Sequence, residues 1–194
     1  MAAYSHTLES LKSSPRSWLI TGAAGFIGSH LLETLLGLGQ RVTGLDDFST
    51  GSRANLDEVR ARVAAGAWQN FHFIEGTIHD PATCRDAARG ADFILHEAAF
   101  ISVPLSLEDP DACNRTNIGG FENILAAAVE NNVKRVVHAS SSAVYGSDTT
   151  MPKVEQKTGR PLSPYAASKF QNEIQARAAL RDHGLGVVGL RYFN

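Results

Sequence analysis

Apolar residues in this chain recur in two rhythms that alternate from one end to the other. Compact or alternating apolar runs at residues 17–21, 41–45, 70–75, 92–96, 134–139 and 186–191 read as strands. Between them the apolar positions spread out to helical spacing. Residues 4–14 carry Leu8 and Leu11 on one side and stop at Pro15. The stretch after Gly28, with Leu31, Leu32, Leu35 and Leu36, is helical and closed by Gly37 and Gly39. Residues 53–65 present Leu56, Val59 and Val63 as a buried stripe, and residues 111–131 turn Ile118, Phe121, Ile124, Leu125 and Ala128 inward. Asp80 before Pro81, and Ser163 before Pro164, mark two further helix starts, because a side-chain acceptor followed by a residue with no N–H suits the first turn. Strands alternating with helices form βαβ units, which cross over right-handed into a parallel sheet. The predicted class is α/β, a doubly wound parallel sheet in a three-layer αβα arrangement, with residues 1–16 as an N-terminal extension and 17–194 as the sheet domain.

Composition narrows the function without naming it. The chain has 194 residues, 43% hydrophobic and 20% charged, which suits one ordinary globular domain. A net charge of -2 gives no reason to expect nucleic acid or an anionic membrane as partner. Cys84 and Cys113 have no metal or disulfide spacing, and the seven histidines are scattered without ligand spacing, so no metal is expected. The N-terminus lacks an apolar leader core, and no run approaches the roughly 18 apolar residues of a membrane span. A cytoplasmic, reducing location is the expectation.

The chemistry gathers at strand ends. The first strand runs into Gly22-Ala-Ala-Gly25-Phe-Ile-Gly28 and then a helix, the order that a dinucleotide pyrophosphate requires: glycines admit phosphate close to the backbone, and a helix N-terminus offers free N–H groups. A purely structural glycine turn is the alternative. Asp46 ends the second strand, where a carboxylate hydrogen-bonds a ribose and repels a 2′-phosphate, selecting NAD over NADP; a loop or capping role is the alternative. Asn117 falls inside the long helix, either as a core hydrogen bonder or on the cofactor side. Ser140, Ser141 and Ser142 follow the fifth strand, at the end where such sheets bind ligands. Tyr165 and Lys169 stand four apart at a helix start, so they share a face, and a nearby ammonium lowers a phenol pKa from about 10 toward neutrality. A surface tyrosine above a solvated lysine is the alternative. No G-x-S-x-G elbow is present.

Taken together, T-G-A-A-G-F-I-G, L-D-D-F-S-T-G, H-E-A-A, N-I-G-G, S-S-S-A-V-Y-G, S-P-Y-A-A-S-K and L-R-Y-F-N resemble the extended short-chain dehydrogenase/reductase family, and within it the NAD-dependent nucleotide-sugar epimerases. The N-terminal stretch and S-V-P-L-S are similar to the UDP-N-acetylglucosamine and UDP-N-acetylglucosaminuronate 4-epimerases of polysaccharide synthesis. The resemblance implies a Rossmann fold, NAD as cofactor, a UDP-sugar substrate epimerised at C4 through a 4-keto sugar, and a homodimer. It implies that Gly22, Gly25, Phe26, Ile27 and Gly28 hold the pyrophosphate, that Asp46, Asp47, Phe48, Ser49, Thr50 and Gly51 border the ribose, and that Thr77 and Ile78 lie near adenine. Ala98, Ala99 and Asn117 follow the nicotinamide half, and Ser140 and Phe193 are also expected on the cofactor. Ser141, Tyr165 and Lys169 become the catalytic residues, with Ser102, Val103, Ser142 and Asn194 beside Ser141 and Tyr165 facing the sugar.

The sequence also departs from that pattern. Thr77 stands where Asp is usual and Asp47 where Asn is common, which implies a lost adenine contact and an unwelcome carboxylate near the phosphates. Ile101 replaces a small residue on the sugar side. A substrate-binding lobe is expected beyond Asn194, so weak turnover is expected of this chain alone. Two other readings stand beside epimerisation: a cofactor-binding fragment without turnover, and a 4,6-dehydratase, which would place an acid pair where Ser142 and Ala143 precede Val144.

Overall fold

The computed structural model describes residues 2–193. Six strands, β1 (Ser17–Thr21), β2 (Arg41–Asp46), β3 (Phe71–Glu75), β4 (Phe93–His96), β5 (Arg135–Ser141) and β6 (Gly186–Tyr192), form one parallel sheet in the order β3-β2-β1-β4-β5-β6. The order reverses direction between β1 and β4. At that point the connections leave toward opposite faces, and a crevice opens beyond the carboxyl ends of the strands.

The helices are α1 (Ala2–Ser13), α2 (Phe26–Gly37), α3 (Arg53–Arg62), α4 (Ala65–Trp68), α5 (Pro81–Ala87), α6 (Val103–Glu108), α7 (Pro110–Asn114), α8 (Phe121–Glu130) and α9 (Pro164–His183). Successive β1 residues serve opposite faces, as the period of a strand requires. Leu19 joins Leu45, Ile94, Phe121, Ile124 and Val136 in one core, whereas Ile20 joins Leu32, Leu36, Val42, Leu56 and Val59 in the other. Helices α5, α8 and α9 therefore cover the first face and α2 and α3 the second. On β6, Val188 and Leu190 stay exposed.

Two elements depart from the sequence expectation. Residues 111–131 are not one regular helix: α7 passes through a π-helical turn, Arg115–Gly120, before α8 begins. Such a turn adds a residue to the helical repeat and re-aims its side chains, and here it carries Asn117. No helix is expected at S-V-P-L-S, yet Val103–Glu108 forms α6, capped by the Ser102 hydroxyl, which accepts from the Leu105 N–H at 3.2 Å. The extension is fastened by Gln40, fully buried, which donates to the Leu11 carbonyl at 2.9 Å and accepts from the Arg16 N–H at 3.0 Å. Among the described residues no helix is long and apolar enough to cross a membrane, and no three His, Cys, Asp or Glu side chains stand together as a metal site.

Candidate nucleotide and active site

A cleft of about 640 Å³ lies at the reversal between β1 and β4. Its floor is the glycine turn. Gly22 has φ +69°, and a Cβ there would stand 2.7 Å from the Ala98 nitrogen. A Cβ on Gly28 would stand 2.0 Å from the Gly22 carbonyl oxygen, so only glycine lets α2 start this close to the turn. Gly25 caps α2 without a side-chain acceptor, which leaves the first N–H groups of the helix facing the cleft. This is a cradle for a diphosphate: backbone donors, a positive helix end and no Cβ in the way. Phe26 and Ile27, on the first turn, line it and remain exposed.

Asp46 is buried at the end of β2. Its carboxylate accepts the Ala24 N–H at 2.9 Å and the Phe48 N–H at 2.8 Å, which locks the glycine turn to the following loop. Each oxygen keeps a lone pair for a ribose hydroxyl. Gly51 must be small here, because a Cβ would meet the Asp46 Oδ1 at 2.9 Å. Asp47, Ser49, Thr50, Thr77, Ile78, Ala98 and Ala99 also line the cleft. Phe48 does not. Its φ of +57° is unusual for a bulky residue, and its ring packs on Phe73 at 5.3 Å under the Arg53 guanidinium, leaving only its N–H to serve Asp46.

The two departures on this side lie close together in the cleft lining. Asp47 accepts the Ser49 N–H at 2.9 Å. Burial raises its pKa, but the hydrogen bonds from Ser49 and from the Thr77 side chain, with His79 nearby, outweigh that and hold the carboxyl below its usual range. The Asp47 carboxylate is thus held by the Ser49 N–H and lies near enough to the Thr77 hydroxyl to be lowered by it.

Tyr165 enters on the first turn of α9, which Ser163 caps by accepting the Ala166 N–H at 3.1 Å with Pro164 in the first turn. Its own N–H donates to Ser106 Oγ at 3.2 Å, and Ser106 donates to the Val103 carbonyl at 2.7 Å. Fully buried Ser106 thereby joins α6 to the start of α9, a role its place in S-V-P-L-S did not reveal. Ser141 caps the 3-10 turn Ser142–Tyr145 by accepting the Ala143 N–H at 3.1 Å, and its hydroxyl lies near enough to the Tyr165 phenol to bear on its ionisation.

Lys169 is buried, with its ammonium donating to the Ala139 carbonyl at 2.9 Å and standing 5.9 Å from the Tyr165 ring centre. The lowering of the phenol pKa inferred from the four-residue spacing does not appear in the chain itself. Burial raises Tyr165, the Ser141 hydrogen bond works against that, and the Cys113 thiol adds to it. Lys169 is also shifted: burial brings it down to about 8, with Glu97 and Cys113 acting the other way. The reason is directional, because the ammonium is spent on a carbonyl at the sheet end.

Three residues expected on the cofactor already have partners within the protein. Asn117 is buried, accepting the Phe100 N–H at 2.7 Å and donating to the Phe100 carbonyl at 3.0 Å and Ser168 Oγ at 2.9 Å; it is a clamp on the cleft-lining strand end. Ser140 donates to Glu173 at 2.8 Å, and Glu173 is held by Arg191 at 2.7 Å. Phe193 is exposed and leans on Tyr145 at 5.8 Å. On the sugar side, Val103 is exposed beside Ser102, Ser142 opens the 3-10 turn, and Asn194 lies outside the described residues. Glu97, Phe100 and Thr116 line the cleft without having been singled out. For Glu97 the signal was present, a carboxylate directly after a strand end.

The comparisons with known proteins agree with this geometry. The NAD dependent epimerase/dehydratase family matches residues 18–194. The chain is 37% identical over 180 residues to a UDP-glucose 4-epimerase of Streptomyces lividans, covering 91% of this chain and 51% of that protein. A UDP-N-acetylglucosamine 4-epimerase from Methanobrevibacter ruminantium, solved with UDP-N-acetylmuramic acid, superposes with a TM-score of 0.85 at 35% identity over 93% of this chain and 56% of its own. A double mutant of DesIV, a dTDP-glucose 4,6-dehydratase from Streptomyces venezuelae solved with NAD, gives 0.82 at 38% identity over 90% of this chain and 54% of its own. The chain spans about half the length of the relatives it matches. With a parallel sheet in this order, a glycine cradle at its reversal point and a match over residues 18–194, the chain belongs to the NAD dependent epimerase/dehydratase family.

Proposed function

We propose that this chain is the cofactor-binding and catalytic half of an NAD-dependent UDP-hexose 4-epimerase. What supports the reading is the meeting of three side chains beside a cleft with a diphosphate cradle: Tyr165 on the first turn of α9, the Ser141 hydroxyl near enough to bear on its phenol, and Lys169 one turn further on. The cradle fits NAD: the glycine turn and the start of α2 suit its pyrophosphate, and Asp46 suits a ribose without a 2′-phosphate. When bound, NAD supplies the reversible oxidation at the C4 carbon of the sugar. Tyr165, as phenolate, takes the proton from the 4-hydroxyl and returns it after the 4-keto sugar presents its other face. Ser141 hydrogen-bonds the same oxygen and holds it in line. Lys169 is the cation nearest the phenol, 5.9 Å from its ring centre, and can favour the phenolate only as far as its ammonium turns from the Ala139 carbonyl toward the site. The substrates favoured are UDP-N-acetylhexosamines or UDP-hexuronates, in keeping with the likeness to the M. ruminantium enzyme and with the α6 segment.

The likeness to the dehydratase gives a second reading. Elimination of water needs an acid and a base beside C5 and C6, and the positions before Val144 are Ser142 and Ala143. The test is product identity. The chain is incubated with NAD and UDP-N-acetylglucosamine, and the sugar is followed by NMR. A C4 epimer supports the proposal; a 4-keto-6-deoxy sugar would transfer it to the dehydratases; NAD retained with no product would identify a cofactor-binding piece.

A further inference from the structure

Among the described residues Glu97 is the one carboxylate with a buried oxygen that has no hydrogen-bond partner, and it lines the cleft. Its Oε2 has no hydrogen-bond partner among the described residues, and its Oε1 receives only a long 3.4 Å bond from the Tyr192 hydroxyl. Its backbone is fixed, since its N–H donates to the Thr21 carbonyl at 3.1 Å. The strand register says what it faces. His96 pairs with His138 across β4 and β5, so Glu97 comes one step further on, beside Ala139, the residue whose carbonyl holds the Lys169 ammonium. Tyr192 reaches the same place from β6, where it pairs with Ser141. The half-buried Glu97 carboxylate just past the end of β4 and the buried Lys169 ammonium, brought by α9 to the Ala139 carbonyl of neighbouring β5, thus share one place at the top of the sheet, and neither has a full set of partners.

We infer that Glu97 is a positioning residue for the reaction: its carboxylate is the counter-charge that keeps Lys169 protonated next to Tyr165. The inference rests on Lys169 being the working cation of the site. Burial of each charge alone is unfavourable, and each makes the other's charged form easier to keep. The titration shifts agree. Burial raises Glu97 to about 7 while Lys169 pulls it back down, and burial lowers Lys169 to about 8 while Glu97 pushes it up. The other groups facing this pair are His96, His138, Cys113, Tyr165, Tyr192 and the Glu173–Arg191 ion pair. Burial holds both histidines down as neutral rings, and Glu173 is satisfied by Arg191, so Glu97 is left as the group that balances the ammonium.

The test reads ionisation and does not need turnover. The amine of Lys169 is titrated by NMR of isotopically labelled lysine in the wild-type chain and in Glu97→Gln, with Lys169→Met assigning the signal. Loss of the carboxylate should lower the Lys169 midpoint by about one pH unit or more, the size expected for a buried neighbouring charge. The reciprocal measurement uses labelled glutamate: in Lys169→Met the Glu97 midpoint should rise, because linkage makes the coupling mutual. Glu97→Asp should restore part of the Lys169 shift. If Glu97→Gln does not fold, the Lys169→Met arm decides alone. A Lys169 midpoint that is unmoved or raised in Glu97→Gln, or a Glu97 midpoint unmoved in Lys169→Met, overturns the inference and leaves the epimerase reading standing.

Discussion

Lowering the pH from 7 to 5 should destabilise this chain through His138 before it disturbs any exposed group. The ring is 1% exposed, neither nitrogen has a hydrogen-bond partner among the described residues, and it packs on Phe121 at 4.7 Å. Burial, with the Lys169 charge adding to it and Glu173 partly opposing it, brings its pKa from 6.5 down to about 4. A depressed histidine favours the neutral form in the folded state, so the unfolded chain binds more protons between the two values. Stability is complete above pH 6.5 and drains away as the pH falls toward 4. A shift of that size corresponds to roughly 3 kcal/mol at full protonation, and about 2 kcal/mol of it falls between pH 7 and pH 5. His96 is also buried and shifted down, so the wild-type loss exceeds this amount. Urea unfolding at the two pH values, in wild type and in His138→Leu, isolates the His138 share as the difference of differences. The variant should lose about 2 kcal/mol less than the wild type on acidification. Equal losses in the two proteins would refute the reasoning, whatever the offset between them at pH 7.

The glycine cradle and the ribose carboxylate yield two more outcomes. Gly28→Ala places a methyl 2.0 Å from the Gly22 carbonyl oxygen and should weaken NAD binding by more than about tenfold, whereas Gly37→Ala, with open space at its Cβ, should bind as the wild type does; calorimetry compares them. Asp46→Asn keeps an acceptor for one backbone N–H but removes the charge that repels a 2′-phosphate, so the preference for NAD over NADP should narrow by about tenfold in competition binding.

Much of the fold was legible because each strand is short, apolar and followed by a residue that ends it. The turn at Gly22 and Gly28, the Asp80–Pro81 and Ser163–Pro164 starts, and all six strands appear where the pattern put them, within a few residues. What stayed hidden depends on contacts far apart in sequence. The spacing of Tyr165 and Lys169 gives a shared helix face, but whether the ammonium meets the phenol or a carbonyl is decided by Ala139 on another element. Asn117 and Ser140 are polar residues in the right neighbourhood whose hydrogen bonds are already taken, by Phe100 and by Glu173. The short helix α6 was missed although Ser102 before Val103 and Pro104 is a cap signal, because six residues give too little periodicity to read. Thr77 and Asp47 looked like two separate losses, yet both line the same cleft and Thr77 helps hold the Asp47 carboxyl below its usual range.

The most direct test of the account is the rate of C4 epimer formation from a UDP-hexose by Tyr165→Phe beside the wild-type chain, with NAD affinity measured on both. The account predicts a loss of at least about a hundredfold, the contribution of a positioned general base, with NAD affinity unchanged within about twofold. A variant that keeps most of the epimerisation rate would show that the phenol beside Ser141 and Lys169 is not where the sugar proton goes.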